Sequence, residues 1–129
     1  MHQGKKNSIS LVYFAFSTLL IGTMLMGCAE TQVTGGRVDH TRLQDGTYEG
    51  SYRGGPNRAL VQVTIKNSNI VHIEILQHLA WRGGAAEAPI VARIIASQST
   101  RVDAVSGATN SSRVIMNAVQ DAIEKAYKQ

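Results

Sequence analysis

Cysteine is almost missing from this 129-residue chain: Cys28 is the only one. No intrachain disulfide can form, so a disulfide-stapled scaffold is excluded. Proline is scarce, at two residues, and the twelve glycines follow no repeat. With 43% hydrophobic residues, that composition is neither disordered nor fibrous. Acidic residues are missing from the first 28 positions, where Lys5 and Lys6 are the only charges. Beyond Cys28, eleven basic residues stand against nine acidic ones, a net of +2. The excess is mild and scattered, without the basic stripe that phosphate-backbone binding needs, so nucleic-acid binding is excluded. Length excludes more: the chain holds one domain, too little for a doubly wound dinucleotide fold with a catalytic partner domain.

The charge-poor beginning has its own logic. A polar, lysine-bearing stretch to Ser8 precedes eighteen uncharged residues, Ile9 to Met26. That is the pattern of a secretory signal. It ends in Leu25-Met26-Gly27-Cys28, which resembles a lipoprotein signal-peptidase site, where cleavage precedes a cysteine whose sulfur carries diacylglycerol. This accounts for a lone cysteine outside the cytoplasm. The alternative is an uncleaved membrane helix, since eighteen apolar residues reach the lower limit of a span. Both leave the rest of the chain on the outer face of a cell membrane or outer membrane. Ala29 follows the cysteine, with no aspartate there to suggest inner-membrane retention.

Residues 1–27 thus read as a signal peptide, 28–44 as a lipidated cysteine and polar tether, and 45–129 as one domain. Sixteen flexible residues, Ala29 to Gln44, would reach roughly 20–25 Å. In the domain, Thr47 to Tyr52 reads as a short strand and Arg53 to Asn57 as a loop. Val61, Val63 and Ile65 alternate with polar residues, as do Val71, Ile73 and Ile75. The two runs flank Asn67-Ser68-Asn69 and predict an antiparallel hairpin with one buried face. His78 to Ala86 reads as a loop. Glu87 to Ser99 is helical by pattern with Pro89 in its first turn, and Val102 to Val105 reads as a short strand. Asn110 to Tyr127 places Val114, Ile115, Ala118, Val119, Ala122, Ile123 and Ala126 at helical spacing, closed by Lys125 and Lys128. The order β-β-β-α-β-α predicts an α+β fold: a small antiparallel, hairpin-based sheet with two helices, the C-terminal one packed on the sheet.

One segment concentrates chemistry. Asp103-Ala104-Val105-Ser106-Gly107-Ala108-Thr109-Asn110-Ser111-Ser112 leads into the final helix. Its small residues allow close backbone approach. Its hydroxyls (Ser106, Thr109, Ser111, Ser112) stand with the first-turn amides at the positive end of the helix dipole, a place suited to phosphate. Helix capping is the competing explanation and accounts for one or two of these hydroxyls. A hydrolase built on Ser106 is disfavoured, because no glycine precedes it by two residues and no histidine is near in sequence. No pair of histidines or acids has metal-ligand spacing, so no metal site and no catalytic residue is expected. His72 alternates outward as a surface residue, and His2 and His40 lie outside the domain.

Asp103, then Ser106-Gly107-Ala108-Thr109, then Ser111-Ser112 opening a helix resembles the flavinylation motif of the FMN-binding domain family. That family includes the C subunit of the sodium-pumping NADH:quinone reductase, the G subunit of the Rnf complex and small lipoproteins of extracellular electron transfer. The resemblance runs from about Asp45 to Ala126, with Asp45-Gly46-Thr47-Tyr48-Glu49-Gly50 matching the usual start of the domain. It implies FMN in phosphoester linkage to Thr109, attached by a magnesium-dependent FMN transferase with FAD as donor. Asp103, Ser106, Gly107 and Ala108 would be what the transferase reads, and Ser111 and Ser112 would neighbour the phosphate. The resemblance also places His78 near the isoalloxazine ring, although the acid-threonine pair that often follows is replaced by Leu79-Ala80-Trp81-Arg82. Trp81 could stack on the ring and Arg82 could stabilise reduced flavin, or both could be ordinary loop residues. The implied protein is an electron carrier rather than an enzyme, reduced by a membrane quinol or NADH dehydrogenase partner. A noncovalent FMN-binding or sensing lipoprotein is the alternative.

Overall fold

A computed structural model of the chain describes residues 30–81 and 83–127. The expected signal peptide, the lipidation of Cys28, and the roles given to Arg82 and Lys128 lie outside those residues. The architecture is α+β, as the alternation and helical spacing imply. Strands β1 (Gly46–Gly54), β2 (Asn57–Lys66) and β3 (Asn69–Leu79) form an antiparallel sheet in the order β1-β2-β3. Helix α1 (Gly84–Ser97) lies against β3, and the C-terminal helix α2 (Thr109–Ala126) crosses β1 and β2.

The strands run further than the alternation marks. Arg53 to Asn57 is not a loop: Arg53 pairs with Arg58 and Gly54 with Asn57, leaving a two-residue turn at Gly55-Pro56. With Tyr52 and Ala59 already paired, continuing the ladder satisfies backbone groups that a loop would leave to water. The β2–β3 turn is also two residues, Asn67 and Ser68, at φ 52° and 58°. Such positive values match the twist of a hairpin, and the Asp45 carboxylate accepts both turn amides at 2.9 Å.

Register decides which β3 residues face inward. Ile65 pairs with Ile70 but Thr64 with His72, so Val71 is an extra residue, and Ile70 takes the buried place expected of Val71. A second irregularity sets Val61 opposite Ile75 and Leu60 opposite Gln77, which leaves Leu76 extra. Each bulge inverts the alternation beyond it. His72 stays outward and exposed, whereas His78 comes round beside Ala59 on the inner face.

Val102 to Val105 is not a strand, so the observed order is β-β-β-α-α. Side chains already engage its backbone: Ser112 Oγ accepts from the Val105 amide at 3.0 Å, and Arg93 donates to the Asp103 carbonyl at 2.6 Å. Helix α1 begins three residues before the expected Glu87, which moves Pro89 into its second turn. It ends at Gln98 in a left-handed conformation, whose side chain bonds both backbone groups of Ile70 at 2.9 Å and so docks the helix end on the β3 edge.

The core joins Val61, Val63, Ile65, Ile70 and Ile73 of the sheet to Ile90 and Ile94 of α1 and the whole expected stripe of α2. Burial on α2 spreads beyond that stripe to Met116 and Asn117. The cause is the segment before β1. Read as a flexible tether, residues 30–44 instead lie along the domain as a strap, with Val38 and Leu43 at 3% and 2% exposure. Asn117 donates to the Gln32 carbonyl at 2.7 Å and accepts from the Thr34 amide at 3.0 Å. The Gly36 amide donates to buried Thr100 at 3.0 Å, and Leu43 bridges to Tyr127. His40, expected outside the domain, bonds the Ser68 carbonyl at 2.7 Å. Few, widely spaced apolar residues suffice because α2 supplies the partners on its second face; sequence periodicity carries no trace of that arrangement.

Candidate functional site

The strap, the β3–α1 connection and the start of α2 enclose an open cleft of about 810 Å³. Its walls include Glu30, Asn57, Trp81, Gly83, Gly107 and Thr109. That volume is within the usual range of small-molecule and cofactor sites. Gly107 turns the chain at φ 78°, a conformation suited to glycine, and Ala108 precedes the helix without any side-chain cap. Capping therefore does not account for the hydroxyl cluster: Thr109 and Ser111 lie within the first turn, past the cap position. The amides opening an eighteen-residue helix meet the cleft at the positive end of its dipole.

The motif residues divide. Gly107, Ala108, Thr109 and Ser111 line the cleft, and Thr109 is exposed. Asp103 and Ser106 are exposed on the approaching loop, outside the cleft wall. Ser112 is buried and committed to structure, donating to the Ala108 carbonyl at 2.8 Å while accepting from Val105.

Ser111 is different. Its Oγ lies 2.6 Å from His78 Nε2, and His78 Nδ1 lies 2.9 Å from Glu87 Oε1. The His78 side chain is 2% exposed, so both ring nitrogens need partners within the protein. A carboxylate only accepts, so His78 donates from Nδ1 to Glu87, and Nε2 is left to the Ser111 hydroxyl, which can either donate or accept. The Ser111 hydroxyl is thereby held in place at the cleft wall. Gly83 makes the closeness possible, since a Cβ there would overlap Ser111 Oγ and crowd the His78 ring. Glu87 and Gly83 were not singled out from the sequence. Glu87 stands nine positions after His78, across the end of β3, a connection and a helix start, and no spacing rule connects them.

Other features frame the cleft. Glu30 is ion-paired with Arg113, and Arg113 also donates to the Thr31 carbonyl at 3.2 Å. Trp81 is 97% exposed at the rim. Among the described residues no group of three or more His, Cys, Asp or Glu could hold a metal ion, and no helix is long and apolar enough to cross a membrane.

With this geometry in place, comparison with known proteins is specific. The model of the FMN-binding domain matches residues 54–124, more than half of the chain, from the end of β1 to within α2. An uncharacterized protein of Treponema pallidum (strain Nichols) is 33% identical over 86 residues, which cover 64% of this chain and 24% of that protein. The match thus spans about a quarter of the relative's length.

Proposed function

This chain belongs to the FMN-binding domain family, and from that membership we propose that it is a lipid-anchored flavoprotein carrying one FMN on Thr109 and relaying electrons between a membrane donor and an extracytoplasmic acceptor. The observation that carries the reading is the position of Thr109. Its exposed side chain opens the uncapped α2 at the wall of a cleft of cofactor size. A bound FMN supplies reversible electron uptake, chemistry that no side chain here offers.

The chain's own residues divide the work. Thr109 presents the hydroxyl oxygen that attacks the FMN-side phosphorus of FAD; the P–O ester forms, the pyrophosphate bond breaks, AMP departs and the hydroxyl proton is lost. An unactivated threonine is a poor nucleophile, and no described residue hydrogen-bonds it as a base, so activation falls to a separate magnesium-dependent transferase. Asp103, Ser106 and Gly107 are exposed on the loop such an enzyme would read. The first-turn amides of α2 would hold the phosphate. Ser111, held by His78, which Glu87 in turn orients, would offer the cleft a positioned hydroxyl.

The test is in-gel flavin fluorescence on boiled, SDS-treated membranes from cells with and without an FMN transferase. A transferase-dependent fluorescent band, lost in Thr109→Ala while that variant keeps its thermal transition, is the expected result. Unchanged fluorescence in Thr109→Ala overturns the attachment site. A dark band with flavin released to the supernatant overturns covalent attachment and leaves a noncovalent FMN-binding lipoprotein.

A further inference from the structure

We propose that the flavin cleft opens against the lipid bilayer, with Trp81 seated at the membrane interface. This inference rests on the reading of Cys28 as the lipidated anchor. It begins from the strap. Thr31 lies over Gly54 at the end of β1, and Glu30, the first described residue, forms part of the cleft wall and is clamped by Arg113. The other end of the strap is pinned at the far pole of the domain, by the Leu43–Tyr127 bridge and the His40 bond to the β2–β3 turn. The anchor therefore emerges at the cleft end. Only Ala29 separates Glu30 from Cys28, and two residues span at most about 7 Å. The long tether that would let the domain swing freely is absent, because residues 30–44 are packed.

The same end of the molecule carries the side chains an interface selects. Trp81, 97% exposed, shares the cleft wall with Glu30, and Leu79, 48% exposed, ends β3 beside it. Arg53 and Arg58 pair across the β1–β2 hairpin, both exposed, and Arg58 is also the register partner of Leu79. An exposed indole at the same end of the sheet as an exposed leucine and two arginines is costly to leave in water and well matched to the headgroup region, where tryptophan concentrates and arginines meet lipid phosphates. Covalent anchoring at one point and interfacial seating of Trp81 at another fix the orientation, turning the cleft toward a membrane-resident donor.

Trp81 is the only tryptophan of the chain, so its fluorescence reports this one contact. Full-length protein, produced without the transferase to avoid flavin quenching, is reconstituted into phosphatidylcholine–phosphatidylglycerol vesicles containing bromine-labelled acyl chains. Mass spectrometry of the same sample checks Cys28 for diacylglycerol. The expected result is a blue-shifted emission, quenched by the brominated lipid and shielded from acrylamide, with the quenching reduced in Arg53→Glu/Arg58→Glu. Protein that floats with the vesicles yet keeps a water-exposed, unquenched Trp81 overturns the orientation while leaving the anchor and flavin readings intact. An unlipidated Cys28 overturns the anchor and this inference together. A parallel sample carrying flavin separates the remaining use of the indole: Trp81 quenched by flavin and untouched by brominated lipid makes it a ring-stacking residue and overturns the proposal.

Discussion

Three serines of the motif share a residue type and a neighbourhood, and their surroundings give them unequal weight. Ser106 is exposed on the loop, outside the cleft wall; Ser106→Ala should alter unfolding free energy by less than about 0.5 kcal/mol. Ser112 is buried and holds the loop to the helix from both sides. Ser112→Ala leaves the Val105 amide without its acceptor and should cost about 1–3 kcal/mol in urea unfolding. Ser111 stands between the two, since its hydroxyl satisfies a buried imidazole nitrogen while its oxygen faces the cleft. Gly83 protects that contact. Gly83→Ala should destabilise by about 1–3 kcal/mol, and displacement of Ser111 should reduce transferase-dependent flavin loading in the protein that remains folded. Normal loading in Gly83→Ala would separate the Ser111–His78–Glu87 chain from the flavin site.

The elements meet where bulk is withheld. At Gly50 of β1, a Cβ would overlap the Ala118 carbonyl and crowd the Ala122 amide, so α2 can lie directly on the strand only because that side chain is absent. Gly50→Ala forces two rigid backbones apart rather than a flexible side chain aside. Its expected cost is about 3 kcal/mol or more, measurable as a lowered midpoint in thermal circular dichroism. β3 illustrates the limit of pattern reading. Its alternating residues mark a strand correctly, yet two bulges decide that Ile70 and His78, rather than Val71, face inward. Bulges relieve the strain of pairing strands that twist around a helix, and that demand comes from the packing, not from either strand alone.

Across the whole molecule, the strap converts a tether into structure. The amides of Thr34, Gly36, Val38 and Gln44 are hydrogen-bonded to Asn117, Thr100, Gln98 and Ala126. They should show slowed hydrogen exchange in the native protein, whereas a free linker would exchange as fast as an unfolded peptide. Leu43→Ala, at a site 2% exposed, should cost about 2–5 kcal/mol. On the proposed reading of Cys28 as a lipid anchor, the consequence is reach: a packed strap would restrict the orientations of the domain at its membrane, where a long linker would sample many.

The sequence by itself determined the α+β class, the hairpin, the two helices and the Ser-Gly-Ala-Thr segment at the start of the last helix. These depend on local periodicity and local backbone demands, which a few consecutive residues express. Only the tertiary structure decided that His78 turns inward to join Ser111 and Glu87, that Ser112 serves the loop rather than the cleft, that residues 102–105 stay unpaired, and that the strap closes over α2. Each depends on partners distant in sequence: a register slip is invisible in one strand's pattern, and the strap is held by Asn117 of α2 and by Gln98 and Tyr127, more than fifty residues further along the chain. The cleft belongs to both levels. Its proposed acceptor, Thr109, is legible in ten consecutive residues, while its walls come from four separate parts of the chain, brought together by packing.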